Sequence, residues 1–201
     1  SQRHAICGDA VGHAWTVAAW GDERPGRATA QAIAVATATS AAIVPLPITD
    51  TLRAQLARVL KSEHSRTTVH GYKELLHLLG AVDLDMDLPM FDTKLAGYLA
   101  QPDFHADSLK QAAEHFLDIH FTETEQPSQG TLDFDDDQVE EDPNEHRLRD
   151  LAIIRSLAVT LGPIIDEREQ CWLMRAMELP GSRVLHAMGH TGAKVDSVRL
   201  V

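Results

Sequence analysis

Hydrophobic positions along the first 45 residues fall in short runs rather than in helical stripes. His13 to Trp20, H-A-W-T-V-A-A-W, is apolar and rich in aromatic and β-branched residues, with glycines at 8, 12 and 21 on its flanks. That pattern predicts a buried strand. Thr29 to Ala36 and Ala41 to Pro45 read the same way, so the chain should open with a three-stranded meander. After Pro45 and Pro47 the period changes. Thr49-Asp50 offers an N-cap for a helix from about Thr51 to Lys61 that places Leu52, Leu56, Val59 and Leu60 on one face.

Thr67 to His70 predicts a short strand, and Tyr72 to Leu79 a helix with Leu75, Leu76 and Leu79 inward. Gly80 stands where a helix end often needs positive φ. Asp83 to Leu88 alternates acid with apolar and reads as a loop or an edge strand. A helix then runs from Thr93 to about Ala100, stopping before Pro102. Asp107 or Ser108 caps the next, with Leu109, Ala112, Ala113, Phe116 and Leu117 inward. Leu148, Leu151, Ile154, Leu157 and Leu161 mark a helix from about Glu145 to Leu161. Gly162-Pro163 should end it, a further helix should cover Ile164 to Met177, and Glu178-Leu179-Pro180 should start a last one that closes at Gly189 to Gly192.

Charge changes the picture once it is located. The 201 residues carry a net charge of −12, yet Thr122 to His146 holds ten acids and neither Lys nor Arg. Without them 20 acids face 18 bases, so the rest of the chain is almost neutral. A surface that grips phosphates unaided needs a basic excess, which weighs against autonomous nucleic-acid binding. Residues of about 122–144 are too acidic and too poor in apolar anchors to offset the entropy of ordering, and they read as a mobile surface loop. They lack the D-x-[DN]-x-[DN]-G spacing of a calcium loop.

No apolar run reaches the ~18 to 20 residues of a membrane span, and the N-terminus lacks a signal-peptide pattern, so no membrane partner is expected. Cys7 and Cys171 are far apart and form no C-x-x-C pair; a disulfide between them stays open, and separate buried thiols of a cytosolic protein are the plainer reading. The eleven histidines read mostly as surface residues.

The run E-L-P-G-S-R-V-L-H-A-M-G-H-T-G-A-K-V-D, Glu178 to Asp196, resembles the junction between the proofreading and polymerase domains of bacterial family A DNA polymerase I. The usual pattern there is E-x-P-L-x-x-V-L-x-x-M-E-x-x-G-[IV]-x-[IVL]-D. The departures are Gly181 for Leu, Gly189 for Glu and Ala193 for a β-branched residue. Phe91-Asp92-Thr93 with Leu95 and Tyr98-Leu99 resembles the F-D-T-x-L-x-x-Y-L segment of the same proofreading domain, and Asp107-Ser108-Leu109 its D-S-L helix start. The resemblance covers nearly the whole chain and is nearest to polymerases of actinobacterial type, whose corresponding domain is alanine-rich and degenerate.

The resemblance implies an α/β fold of the RNase H-like (DnaQ-like) 3′–5′ exonuclease class, with a mixed central sheet flanked by helices and a C-terminal helical extension. It divides the chain into a degenerate exonuclease-like domain, residues 1–178, and the start of a polymerase domain, residues 179–201. Active members hold two metal ions ~3.5–4 Å apart on four carboxylates. Carried over, the first-strand D-x-E falls on Ala18 and Trp20. The second-motif aspartate falls on Leu75, with Lys73 in register two residues before it. The third motif, Y-x-x-x-D, falls on Ala152 and Ser156 when Val159-Thr160-Leu161 is matched to the family's V-T-L. Every ligand position is vestigial, and the nearby Glu74 has no second carboxylate beside it.

The resemblance therefore implies a catalytically inactive structural domain without a cofactor of its own, the magnesium belonging to the parent's polymerase domain. Its partners would be that polymerase domain and, through the full-length protein, DNA in replication and repair, in the cytoplasm near the nucleoid. Two other readings stay open: an active DEDD-type exonuclease with misaligned ligands, and a free-standing interaction module. His70 and Lys73 are the candidate phosphate contacts, although solvated residues at a helix start are the plainer reading. Trp20 could stack on a base or simply pack. Asp92 should be an N-cap or a buried acceptor rather than a ligand.

Overall fold

A computed structural model describes residues 14–61, 66–121 and 142–192. The acidic segment expected to be a mobile loop lies outside the described residues, apart from its last few positions. Among the described residues five strands form one mixed sheet in the order β3-β2-β1-β4-β5. β1 (Trp15–Asp22), β2 (Thr29–Ala36) and β3 (Ala41–Pro45) are the antiparallel meander that the sequence predicts. β4 (Thr67–Val69) pairs parallel to β1, and β5 (Phe91–Asp92) parallel to β4.

β1 runs two residues past its expected end, because Gly21-Asp22 goes on pairing with Ala30 and Thr29, across a bulge at Gln31 of β2, instead of turning. Gly21 takes φ +153°, and a Cβ there would lie 1.9 Å from the Thr29 carbonyl oxygen, so only glycine fits the bulge. The period-2 alternation then splits the strand residues between two layers. Ala18, Ala34 and Ala36 meet Leu151 and Ile154. Val17, Ile33 and Val35 point into the larger core with Leu56, Leu60, Leu75, Leu76 and Leu79.

Helix α1 (Asp50–Leu60) starts where Thr49 accepts a hydrogen bond from the Leu52 N–H. α2 (Tyr72–Gly80) follows β4, α3 (Thr93–Ala100) follows β5, and Ser108 caps α4 (Leu109–Leu117). Gly80 lies inside α2, and the positive φ expected of it belongs to Asp83, at +58°. Residues 84–90 are irregular; the extra strand is Phe91–Asp92, which was not expected.

The largest departure from the sequence reading is α5 (Pro143–Glu167), which passes unbroken through Gly162-Pro163. Pro163 is on the exposed side, where water can satisfy the carbonyl that it leaves unpaired, while Leu161, Gly162 and Ile165 stay buried. Leu148, placed inward by its spacing, is 45% exposed. A short α6 (Cys171–Leu173) and a π-turn (Met174–Glu178) lead without a break into α7 (Leu179–Thr191), which ends at Gly192 with φ +67°. Leu179 is fully buried, whereas Val184, Leu185 and Met188 face outward. Cys171 is disulfide-bonded rather than a free thiol; Cys7 lies outside the described residues.

Candidate functional site

The alternation of β1 brings Ala18 and Trp20 to the same side of the sheet, one residue short of the bulge. α2 delivers Glu74, Leu75 and Leu78 to the same place, and α5 delivers Asp150 and Ile154. Together with Glu23 and His70 they line a cleft of about 220 Å³. Of the five positions that the resemblance marks as ligand positions, Ala18, Trp20 and Leu75 therefore converge. Ala152 and Ser156 do not: both are exposed on α5. Two residues turn a helix by about 200°, so Asp150 and Ile154, each two positions earlier, face the cleft in their stead.

Trp20 closes one side of the cleft. Its indole N–H donates to the Asp150 carboxylate at 2.8 Å, and the Arg147 guanidinium lies 5.8 Å from the ring centre. Across the cleft, Lys94 on α3 donates to Glu74 at 3.0 Å. Burial disfavours the charged Glu74 carboxylate, but the Lys94 hydrogen bond and charge outweigh it and hold its pKa below the ordinary range. Glu74 and Asp150, two of the three acids that line the cleft, thus each have a partner supplied by the chain.

His70 sits at the turn between β4 and α2. Its Nδ1 is 2.9 Å from the Thr93 hydroxyl, which itself donates to the Val69 carbonyl at 3.2 Å, so Nδ1 carries the ring proton. Burial, helped by the Lys94 charge, pushes the His70 pKa down to about 4. At neutral pH it is an uncharged donor rather than a phosphate-binding cation. Lys73 is half-buried on α2 and does not line the cleft.

Asp92 behaves as the plain reading has it. It is fully buried, accepts from the Lys94 and Leu95 N–H groups at 2.9 and 3.4 Å, and so caps α3. It also accepts from Gly71 at 3.0 Å and Tyr72 at 2.7 Å, which the sequence does not reveal. One carboxylate therefore fastens the starts of two helices.

A two-magnesium centre needs several oxygen ligands. Ala18, Leu75 and Ile154 offer none, and indole is a donor only. Among the described residues, no three His, Cys, Asp or Glu side chains are arranged to hold a metal ion. The donor set does not fit such a centre.

No family model matches the chain. It is 31% identical over 172 residues, 85% of its length, to DNA polymerase I of Mycobacterium bovis and equally to that of Mycobacterium tuberculosis. The chain is homologous to a stretch of DNA polymerase I. That stretch is 19% of the mycobacterial proteins. The fold of the chain superposes on the solved POL domain of Pol1 from M. smegmatis, a complex with DNA primer-template and dNTP, with a TM-score of 0.75 and 23% identity over 91% of this chain and 29% of that one. It also superposes on Brucella melitensis NrnC with bound Mg2+, with a TM-score of 0.65 and 15% identity over 92% of this chain and 90% of that one. The fold is accordingly the mixed α/β, RNase H-like arrangement of 3′–5′ exonucleases, as the resemblance implied.

The sequence reading missed Asp150 and Ile154, for which the leucine stripe of α5 gave the phase had it outweighed the V-T-L match. It also passed over His186 and His190, which stand at H-x-x-x-H spacing on α7.

Proposed function

We propose that the chain is the catalytically inactive 3′–5′ exonuclease-like domain of a DNA polymerase I, with residues 179–201 as the start of the polymerase domain. Its role is structural. It supports a neighbouring polymerase domain, which carries the magnesium and the DNA-directed synthesis used in replication and repair, in the cytoplasm with the nucleoid DNA. The observation that carries this reading is what occupies the vestigial cleft. Apolar Ala18, Leu75 and Ile154 take the ligand positions, and Trp20 engages the carboxylate of Asp150. Dehydrating a divalent ion there has little to offset it. Val184, Leu185 and Met188, exposed along α7, support contact with the polymerase domain.

The test is calorimetric titration with manganese beside a 3′-labelled oligonucleotide assay, on the chain itself and on an Ala18→Asp variant. No nuclease activity is expected from either, because metal ligands act as a unit and one carboxylate alone restores little. Micromolar manganese binding with activity that co-purifies through successive columns would overturn the reading. It would favour an active exonuclease that uses Glu23, Glu74 and Asp150, the three acids lining the cleft.

A further inference from the structure

A second cavity, of about 430 Å³, opens on the other side of α2, where α7 crosses it. His77 of α2 and His186 of α7 line it together with the apolar Leu76 and Leu84. The two imidazole rings are 4.3 Å apart and tilted by 52°. His77 is only 4% exposed. Its Nε2 and the Nδ1 of His186 are both buried without a hydrogen-bond partner among the described residues. The α7 backbone closes over the pair: a Cβ on Gly189 would lie 3.7 Å from the His77 ring and 3.6 Å from Pro25.

Neutral imidazoles can stay in such a place, at the cost of an unmade hydrogen bond. An imidazolium cannot stay without a larger penalty. It carries two N–H donors and a full charge, and the buried nitrogens here face no acceptor. A proton on one ring also disfavours a proton on the other. Water reaches the buried nitrogens where α7 lifts from α2, so protonation and detachment are linked. We propose that His77 and His186 form an acid-released latch, which holds the second half of α7 on α2 while both rings are neutral and frees it as both take up protons. The first turn of α7 stays in place: Leu179 is fully buried, and Arg183 is bound to Asp85, the Met86 carbonyl and the Tyr72 hydroxyl.

The charged groups around the pair set the sense of the response. His77 faces Lys73 and Glu74 on its own helix and His190 on α7. His186 faces Arg183 and His190 on α7 and Asp85 on the segment after α2. Lys73 and Arg183 disfavour further positive charge. Glu74 and Asp85 favour it, but Lys94 holds the first, and Arg183 and Lys61 hold the second. From the turn between β1 and β2, the uncharged Gly26 and Ala28 line the cavity, while Arg24 and Arg27 act on Asp22. His77 is in the last turn of α2, where the helix dipole attracts a cation. Burial prevails over that attraction and lowers the pKa of both rings. The closed form is therefore favoured above pH 6.5, the ordinary value, and loses ground below it. The latch does not depend on whether the vestigial cleft is active.

The test is amide hydrogen exchange of the 201-residue chain at about pH 7.5 and about pH 5.5, corrected for intrinsic rates, with β1 amides as the internal reference for global opening. A ring that takes up its proton only on opening, with an ordinary pKa of ~6.5, raises the opening constant about tenfold between those conditions. Two such rings should cost the amides of residues 186–191 about 100-fold in protection relative to β1. Residues 181–183, held by Arg183 and Leu179, should keep pace with β1. His186→Gln, at a half-buried position, removes one of the two protons and should reduce the loss to about tenfold. Adding His77→Gln should abolish it, and the single variant decides the matter if the double variant does not fold. Protection of residues 186–191 that keeps pace with β1 in the wild type would overturn the proposal. So would an undiminished loss in His186→Gln.

Discussion

The indole N–H of Trp20 reaches the Asp150 carboxylate at 2.8 Å and so ties the end of β1 to the first half of α5. In a metal-dependent relative, a strand and a helix meeting at such a cleft would be joined through ions. Here an ordinary hydrogen bond joins them. A double-mutant cycle with Trp20→Phe and Asp150→Ala should return a coupling energy of about 1 kcal/mol, the net worth of one charge-assisted bond in a half-buried place. Urea unfolding of the two single variants and the double variant measures it. Strict additivity would mean that the two side chains are neighbours without energetic consequence.

Asp92 holds four backbone N–H groups that belong to the starts of α2 and α3. Removing the acceptor strands all four donors, two of them fully buried. Asp92→Ala should therefore cost roughly 3–5 kcal/mol, far above the ~1 kcal/mol of a solvent-exposed cap. Asp92→Asn keeps one oxygen but turns an N–H₂ toward donors, and it should recover less than half of that. Denaturant midpoints of the two variants decide between this clamp and a simple cap, for which Asn would be almost neutral.

How far the sequence reached follows from what each signal depends on. The meander, α1, α2 and α4 are local patterns: alternation, a helical stripe and a capping residue, each complete within a dozen positions. They appear within a residue or two of their expected bounds. Gly162-Pro163 misled because a breaker acts only where the freed carbonyl is also buried, and burial is a tertiary property. β5 was invisible because two residues carry no periodicity; its strand character comes from pairing with β4. At the cleft, Ala18, Trp20 and Leu75 were legible from motif spacing. Asp150 and Ile154 depended on the rotational phase of α5, where an error of two residues reverses the face.

His70 carries a pH dependence that the cleft geometry dictates. Its pKa is lowered from 6.5 to about 4 by burial and by the Lys94 charge. Below pH 6.5 the unfolded chain takes up a proton at this position and the folded chain does not. The contribution to stability is thus full above pH 6.5 and is lost as pH falls toward about 4. Glu74 and Asp85, both lowered, add losses at more acidic pH, and His77 and His186, also lowered by burial, act in the same direction as His70. The difference between wild type and His70→Asn isolates the His70 share. Stability of the variant should fall less steeply between pH 7 and 5 than that of the wild type; parallel curves would show that His70 protonates freely in the fold.

Arg183 decides whether α7 belongs to this body or merely follows it. One guanidinium nitrogen donates to the Met86 carbonyl at 2.6 Å and the Tyr72 hydroxyl at 2.9 Å, and the other spans the Asp85 carboxylate at 2.9 and 3.1 Å. Tyr72, fully buried, also donates to the Met86 carbonyl at 2.9 Å, so a core phenol, a loop carbonyl and an α7 side chain share one network. Arg183 is 41% exposed, which moderates the ion pair. Arg183→Ala should cost about 1–2 kcal/mol, because it leaves a buried carbonyl and phenol with fewer partners. Lysine lacks the planar fork and should restore less than half. A chain ending at Leu179 loses the network and the α2–α7 packing together, and its unfolding midpoint should fall below that of Arg183→Ala. If the truncated chain instead unfolds at the wild-type midpoint, α7 is a passive extension, and the continuity of the helix across residue 179 carries no stability.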